Sequence, residues 1–149
     1  MVSQRFSAIL LTTIAALAVA SVIFTYGLLF GSNTITNQGN VSSIGVGVYW
    51  ESSCTTEVTT IDWGYLQPGS TKDVTVYIRN EGTIPMTLSM TVDSWNPVEA
   101  SDYITLTWNR EGSQVNADSV LQAVLTLSVS PSISDVSSFS FDITITGTE

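Results

Sequence analysis

Two patterns of hydropathy divide the chain. The first is an apolar run over residues 6–30 that contains no charged residue. As an α-helix it would extend roughly 37 Å, which is enough to cross a hydrocarbon core of about 30 Å. From Ile44 onward, apolar and polar residues alternate with a period of two, as in β-strands that bury one face. The pattern predicts one N-terminal transmembrane helix followed by an all-β domain.

The period-two alternation recurs about seven times between turn signals. The turn signals contain Gly, Pro or Asn, as in Gln67-Pro68-Gly69-Ser70 and Asn80-Glu81-Gly82. Since each strand has one apolar and one polar face, we expect two stacked antiparallel sheets, a single β-sandwich over 44–149. The predicted strands are Ile44–Trp50, Val58–Trp63, Val74–Ile78, Leu88–Val92, Ile104–Trp108, Leu121–Val129 and Phe139–Ile145.

The flanking charge predicts the orientation of the anchor. Arg5 is the only charged residue near the apolar run, so the short N-terminus is expected in the cytoplasm and the C-terminal domain outside it. The alternative is a signal peptide cleaved after Ala20, because Ala18-Val19-Ala20 has the small-x-small pattern. The apolar run continues for about ten residues beyond that site, which favours a retained anchor at the cell membrane. Both interpretations place the β domain outside the cytoplasm.

Residues 31–43 are polar and uncharged, which predicts a linker between the anchor and the β domain. The linker contains Asn40-Val41-Ser42, an N-glycosylation acceptor triplet. We therefore expect Asn40 to be a glycosylation site if the host modifies such triplets.

Charge and residue usage exclude several classes of function. The chain has 13 acidic and 4 basic residues, and one of the four is Arg5, so the β domain is strongly acidic and nucleic acid binding is excluded. There is no histidine, which removes the triads and zinc sites that need one. The single cysteine, Cys54, cannot form an intramolecular disulfide; it is either an unpaired thiol or a partner in an intermolecular disulfide. No catalytic, cofactor or metal site is predicted.

Tryptophan supplies the remaining candidate for a ligand site. Trp50, Trp63 and Trp108 are in register with aliphatic strand positions, which predicts core positions for all three. Trp95 lies instead in a turn-like segment. Asp93, Glu99 and Asp102 lie near it in sequence, and an exposed ring beside carboxylates is a candidate glycan contact. The competing interpretation is a loop of solvated acids, because their spacing matches no calcium loop.

Residues 60–88 resemble the ASH/Hydin and PapD-like branch of immunoglobulin-type domains. The resemblance rests on Trp63-Gly64, the Pro68-Gly69 turn, a strand ending in Asn80-Glu81-Gly82, and Ile84-Pro85-Met86 at the start of the next strand. It implies an immunoglobulin-like fold and is nearly silent on activity. With the N-terminal anchor, the chain is also similar to small surface proteins encoded in archaeal genomes.

The sequence thus predicts a non-enzymatic structural or adhesive module, displayed outside the cell and associating with itself or with other envelope proteins. We expect an edge strand to accept a strand from a neighbour, donated by residues 35–43 or by Ile44–Trp50. The alternative is a recognition module for glycans or a protein partner.

Overall fold

The computed structural model describes residues 35–149. The predicted anchor at 6–30 lies outside these residues. No helix in the described part of the chain has the length and hydrophobicity needed to cross a membrane. A short 3₁₀ helix covers Val98–Asp102. The strands are β1 Ile35–Ile44, β2 Val46–Tyr49, β3 Thr60–Leu66, β4 Thr71–Asn80, β5 Met86–Asn96, β6 Ile104–Trp108, β7 Gln114–Val115, β8 Val120–Val129 and β9 Ser138–Thr148.

The strands form two sheets. Sheet A has the order β3-β1-β9-β5-β7, and sheet B has the order β2-β4-β8-β6. Neighbouring strands run antiparallel except β1 and β9, which are parallel. The predicted β-sandwich is confirmed, with nine strands rather than about seven in the described residues. The two additional strands are β1, in the predicted linker, and the two-residue β7.

The core lies between the sheets, where the inward positions of each strand are apolar. In β9 the alternation is regular, and Phe139, Phe141, Ile143 and Ile145 are all buried. Trp63 is fully buried and stacks on Phe141, with 6.4 Å between ring centroids. This burial of the alternate residues confirms the period-two pattern as the main determinant of the fold.

The linker predicted over residues 31–43 is wrong from Ile35 onward. Residues 35–44 form β1, which lies inside sheet A between β3 and β9 and is hydrogen-bonded on both sides. Two of its inward positions are Asn37, only 3 % exposed, and Gly39. A Cβ on Gly39 would lie 3.1 Å from Nε1 of Trp63, so the strand passes close to the largest ring of the core. Since these two inward positions at the centre of β1 are not apolar, hydropathy gave no strand signal here, although Ile35 at its start is buried in the core.

The strand predicted over Ile44–Trp50 is interrupted at Gly45. Its φ of +75° is readily adopted by glycine, and there the chain leaves sheet A and enters sheet B as β2. Ile44 and Val46 therefore belong to different sheets. Trp50 lies beyond the end of β2 and is 39 % exposed, so its predicted core position is wrong. The core position of Trp63 is confirmed, and Trp108 is partly buried against the core.

The turn predicted at Asn80-Glu81-Gly82 begins a crossover between sheets, because β4 belongs to sheet B and β5 to sheet A. Asn80 is fully buried at its start. Its side-chain Nδ2 donates to the carbonyl oxygens of Ile84, at 2.7 Å, and Val115, at 3.0 Å. Its Oδ1 accepts the N–H of Gly82 at 2.8 Å. One carboxamide thus joins the end of β4 to the crossover and to β7.

We predict that Asn80→Ala lowers the free energy of unfolding by about 2–4 kcal/mol, because three main-chain groups lose their partner where water has little access. The full-length chain in detergent micelles is unfolded with denaturant and followed by tryptophan fluorescence. Asn116→Ala, at an exposed turn, is the control and should change stability by less than about 0.5 kcal/mol. Equal effects of the two substitutions would contradict the assigned role of Asn80.

Gly39→Ala is expected to destabilise the chain by about 1–3 kcal/mol, since the added methyl group meets Trp63, Phe141 and Ile143 within 3.3 Å. The neighbouring Gln38→Ala, on the outward face of β1, should be close to neutral. The same denaturation measurement applies. If both substitutions are neutral, residues 35–44 do not form an inserted strand, and the linker interpretation is restored.

Candidate functional site

Trp95 is turned toward the core and does not stand free in solvent. Ser94 adopts a positive φ of 55°, and the register between β5 and β9 shifts between Asp93 and Asn96. This irregularity directs the indole inward, where it stacks on Phe141 at 4.5 Å and on Phe139 at 6.1 Å between centroids. The expectation of an exposed ring is therefore wrong. The side chain is partly buried against the core.

The predicted acids do not form one group. Asp93 lies on the outward face of β5, opposite Asp142 of β9. Glu99 and Asp102 are exposed on the 3₁₀ helix. The described residues contain no cluster of three or more His, Cys, Asp or Glu side chains suited to hold a metal ion.

The structure instead brings Asp93 together with Asn40. The Nδ2 atom of Asn40 donates to Oδ1 of Asp142 at 3.1 Å. The three side chains, with Val41 and Thr144, line a shallow depression of about 250 Å³ on sheet A. The alternation of β9 places Asp142 on the outward face, but only the register of three strands shows that it lies between Asn40 and Asp93.

Asn40 belongs to a paired strand rather than to a linker. Its side chain is exposed, and the amide nitrogen that would carry a glycan is the atom bonded to Asp142. Glycosylation of Asn40 stays a prediction, and a glycan there would replace one N–H of that amide.

A second depression, of about 300 Å³, also opens on sheet A. It is lined by Asn37, Gln38, Asp62, Ser138, Phe139 and Ser140. The Phe139 side chain that lines it is buried in the core. Neither depression presents an exposed aromatic ring on which a sugar could stack.

Cys54 lies in the loop after β2, as the polar residues around it predicted. Its thiol is free and partly exposed. The Glu51 carboxylate organises this loop: it accepts the Thr55 hydroxyl and the N–H groups of Thr55, at 3.0 Å, and Thr56, at 2.6 Å. The loop returns along β2, where the Val58 N–H donates to the carbonyl of Val48 at 2.8 Å. An intermolecular disulfide through Cys54 stays a prediction.

Unpaired main-chain groups occur at the outer side of β6. The Ser130 N–H donates to the carbonyl of Tyr103, and the Asn109 N–H donates to that of Val124. Because hydrogen-bonded residues alternate along an antiparallel strand, Ile104, Leu106 and Trp108 direct their N–H and C=O groups away from β8. No described residue accepts from or donates to them. We call the outward main-chain groups of these three residues the open edge.

The open edge corrects one expectation about strand donation. Both predicted donor segments, residues 35–43 and Ile44–Trp50, are largely incorporated into this chain's own sheets as β1 and β2. Among the described strands, β6 is unpaired along the whole of its outer edge. The alternating pattern of Ile104–Trp108 predicted a strand, but its position at the end of sheet B follows only from the structure.

No protein-family model matches the sequence, and no curated protein matches it. The solved structures that are similar at low identity include the following two. One is the ASH/PapD-like domain of human CEP192 (PapD-like domain 7), with a TM-score of 0.34 and 7 % identity, covering 55 % of this chain and 75 % of that one. The other is the third cohesin of ScaC from Acetivibrio cellulolyticus, in complex with the ScaB dockerin. Its TM-score is 0.20 and its identity 13 %, with 68 % and 73 % of the chains covered.

We predict that the loop after β2 loosens in acid. The pKa of Glu51 is lowered from its ordinary value of 4.5, chiefly by the hydrogen bond from the Thr55 hydroxyl. Because the folded loop stabilises the ionised carboxylate of Glu51, this group contributes stability at pH values above its ordinary pKa of 4.5. The contribution is lost as the pH falls through the lowered pKa. The protection factors of the Thr55 and Thr56 amides, each referred to the intrinsic exchange rate at the same pH, should therefore fall at low pH, and Glu51→Gln should lower them already at pH 7. Glu57→Gln is the matched control, and equal exchange in the two variants would contradict this role of Glu51.

Proposed function

We propose that this protein is a non-enzymatic module, anchored at the cell membrane and displayed outside it, that works by associating with other protein chains, in the first place with further copies of itself. The observation that carries this proposal is the open edge of β6. A row of unpaired N–H and C=O groups on a sheet edge is a template for pairing with another chain, and natural sandwiches generally cover or interrupt such rows.

The sequence supports the membrane part of the proposal. The apolar run at 6–30 has the length of a membrane span, and Arg5 favours a cytoplasmic N-terminus. The acidic character of the rest of the chain is typical of a soluble domain outside the cytoplasm. Many cell-surface proteins contain immunoglobulin-like sandwiches, so a fold of this class agrees with an anchored domain outside the cytoplasm.

The shifted pKa values of Tyr49 and Glu51 have local structural causes. The pKa of Tyr49 is raised, chiefly by its hydrogen bond to Glu81, and that of Glu51 is lowered by the groups that order its loop. Both residues are outside the two depressions on sheet A. Their shifts come from local contacts of the fold, whereas catalytic groups are usually perturbed inside a cleft.

Glycan recognition at Trp95, Asp93, Glu99 and Asp102 is less well supported. The Trp95 ring stacks on Phe141, and the acids are divided between β5, which has Asp93, and the 3₁₀ helix, which has the other two. A sugar-binding site needs an exposed aromatic ring with polar groups converging beside it, and these four residues are not arranged in that way.

We expect two differently tagged copies of the full-length chain, expressed together, to co-purify from the membrane fraction through either tag. The recovered chains should have the intact mass of a protein that retains residues 6–30. Copies expressed separately and mixed after solubilisation control for association in the extract. Recovery of each tag alone from membranes would refute self-association, and a chain found only in the medium and beginning at Ser21 would refute the anchor.

A further inference from the structure

The other strand edges of the sandwich are each interrupted or covered. In β3, the main-chain carbonyl of Trp63 accepts from the ammonium of Lys72 at 2.5 Å, and the Gly64 N–H donates to the side chain of Asp62 at 2.8 Å. The register with β1 also shifts at this place. A charge at the edge and an irregular ladder both hinder the addition of a further strand.

The edge of β2 is covered by the loop that follows it. The Trp50 N–H donates to the carbonyl of Thr56 at 2.9 Å, and the Val58 N–H donates to Val48. The first half of β4 extends beyond β2, and there the exposed carboxylate of Asp73 lies at the centre of the uncovered stretch. Neither edge offers an uncharged, continuous row of groups.

The far edge of sheet A is short. β7 has two residues, and beyond it the Met90 N–H of β5 donates to the carboxylate of Glu111 at 3.2 Å. Farther along β5, the positive φ of Ser94 breaks the strand geometry. The open edge of β6 differs from all of these, because Ile104–Trp108 has no charge, glycine, proline or register shift.

The residues of β6 are arranged so that the strand can pair with itself. If a second copy approaches antiparallel with Leu106 facing Leu106, each Ile104 faces a Trp108 and each Thr105 faces a Thr107. The residues that face the open edge then form hydrogen-bonded pairs, with about six main-chain bonds in total. The threonine pairs lie on the exposed face, where such cross-strand pairs are favourable.

The charges at the two ends of β6 fit the same arrangement. Asp102 precedes the strand and Arg110 follows it, so an antiparallel partner centred on Leu106 brings each Asp102 toward an Arg110. Arg79 is already 3.9 Å from Asp118, and Lys72 donates to Trp63. Arg110 donates its Nε to the carbonyl of Gln122 at 2.6 Å and has no acidic partner among the described residues. In the dimer, Asp102 of each copy approaches Arg110 of the other, so both arginines gain an acidic partner.

We propose that β6 is the self-association surface of this protein: two copies pair antiparallel along their open edges, centred on Leu106, and extend sheet B across both molecules. This inference rests on the proposed function and adds its surface and register. The four-stranded sheet B of each copy becomes half of a continuous eight-stranded sheet. Opposed charges at Asp102 and Arg110 hold the register, because a shift along the strand separates both pairs.

The register is tested by cysteine pairs in the full-length chain, in membranes, with Cys54 replaced by serine. Thr105→Cys and Thr107→Cys are combined in one chain and are also made singly. Under mild oxidation the double variant should give at least ten times more disulfide dimer than either single variant. Co-expression of the two single variants should restore the dimer, since Thr105 of one copy faces Thr107 of the other. Thr71→Cys with Thr75→Cys, exposed threonines on the uncovered half of β4, is the matched control and should give only the background.

A second measurement tests the charge pairing. Asp102→Arg alone should reduce the disulfide dimer of the double-cysteine chain severalfold, and adding Arg110→Asp should restore it. Equal dimer from single and double cysteine variants, more dimer from the β4 control, or no rescue by the charge exchange would each overturn the proposal. If tagged copies still co-purify in such a case, association occurs at another surface and the proposed function stands. If they do not co-purify, the function falls as well.

Discussion

The crossover from sheet B to sheet A is held by the buried carboxamide of Asn80. At this residue the chain leaves sheet B and crosses to sheet A, and a crossover places main-chain carbonyls where water has little access. Asn80 satisfies those of Ile84 and Val115 and accepts from Gly82. An apolar residue of similar size would fill the same space but leave these main-chain groups unpaired. The lost hydrogen bonds would destabilise the fold by more than the apolar packing would stabilise it.

The crossover also determines which strands lie at the edges. Because β5 pairs with β9 in sheet A, sheet B contains β2, β4, β8 and β6, and β6 is its last strand. The core contains Trp63, Phe141 and Trp95, all from sheet A and stacked in series. The groups left for recognition are side chains exposed at the surface, Trp50 and Tyr65 among them, and main-chain groups at the strand edges. Self-association through β6 would use the second kind.

The protein limits strand pairing elsewhere with few charged residues. Lys72 and Asp62 occupy the edge of β3, Glu111 occupies that of β5, and Glu51 orders the loop that covers β2. The chain has 4 basic residues, and one of them, Lys72, lies at a strand edge. These charged groups hinder the addition of a strand at the other edges, and the edge of β6 is left available for specific association.

The sequence by itself determined the class of fold and most strands, because a half-buried strand needs alternating side chains, and β4, β5, β6, β8 and β9 have them. It did not show β1, whose inward Asn37 and Gly39 carry no hydrophobic signal and whose stability comes from ladders to β3 and β9. The inward turn of Trp95, the meeting of Asn40 with Asp142 and the open edge of β6 were decided only by the tertiary structure. Each depends on which strands are neighbours and in which register, and those are relations between distant residues that no local pattern contains.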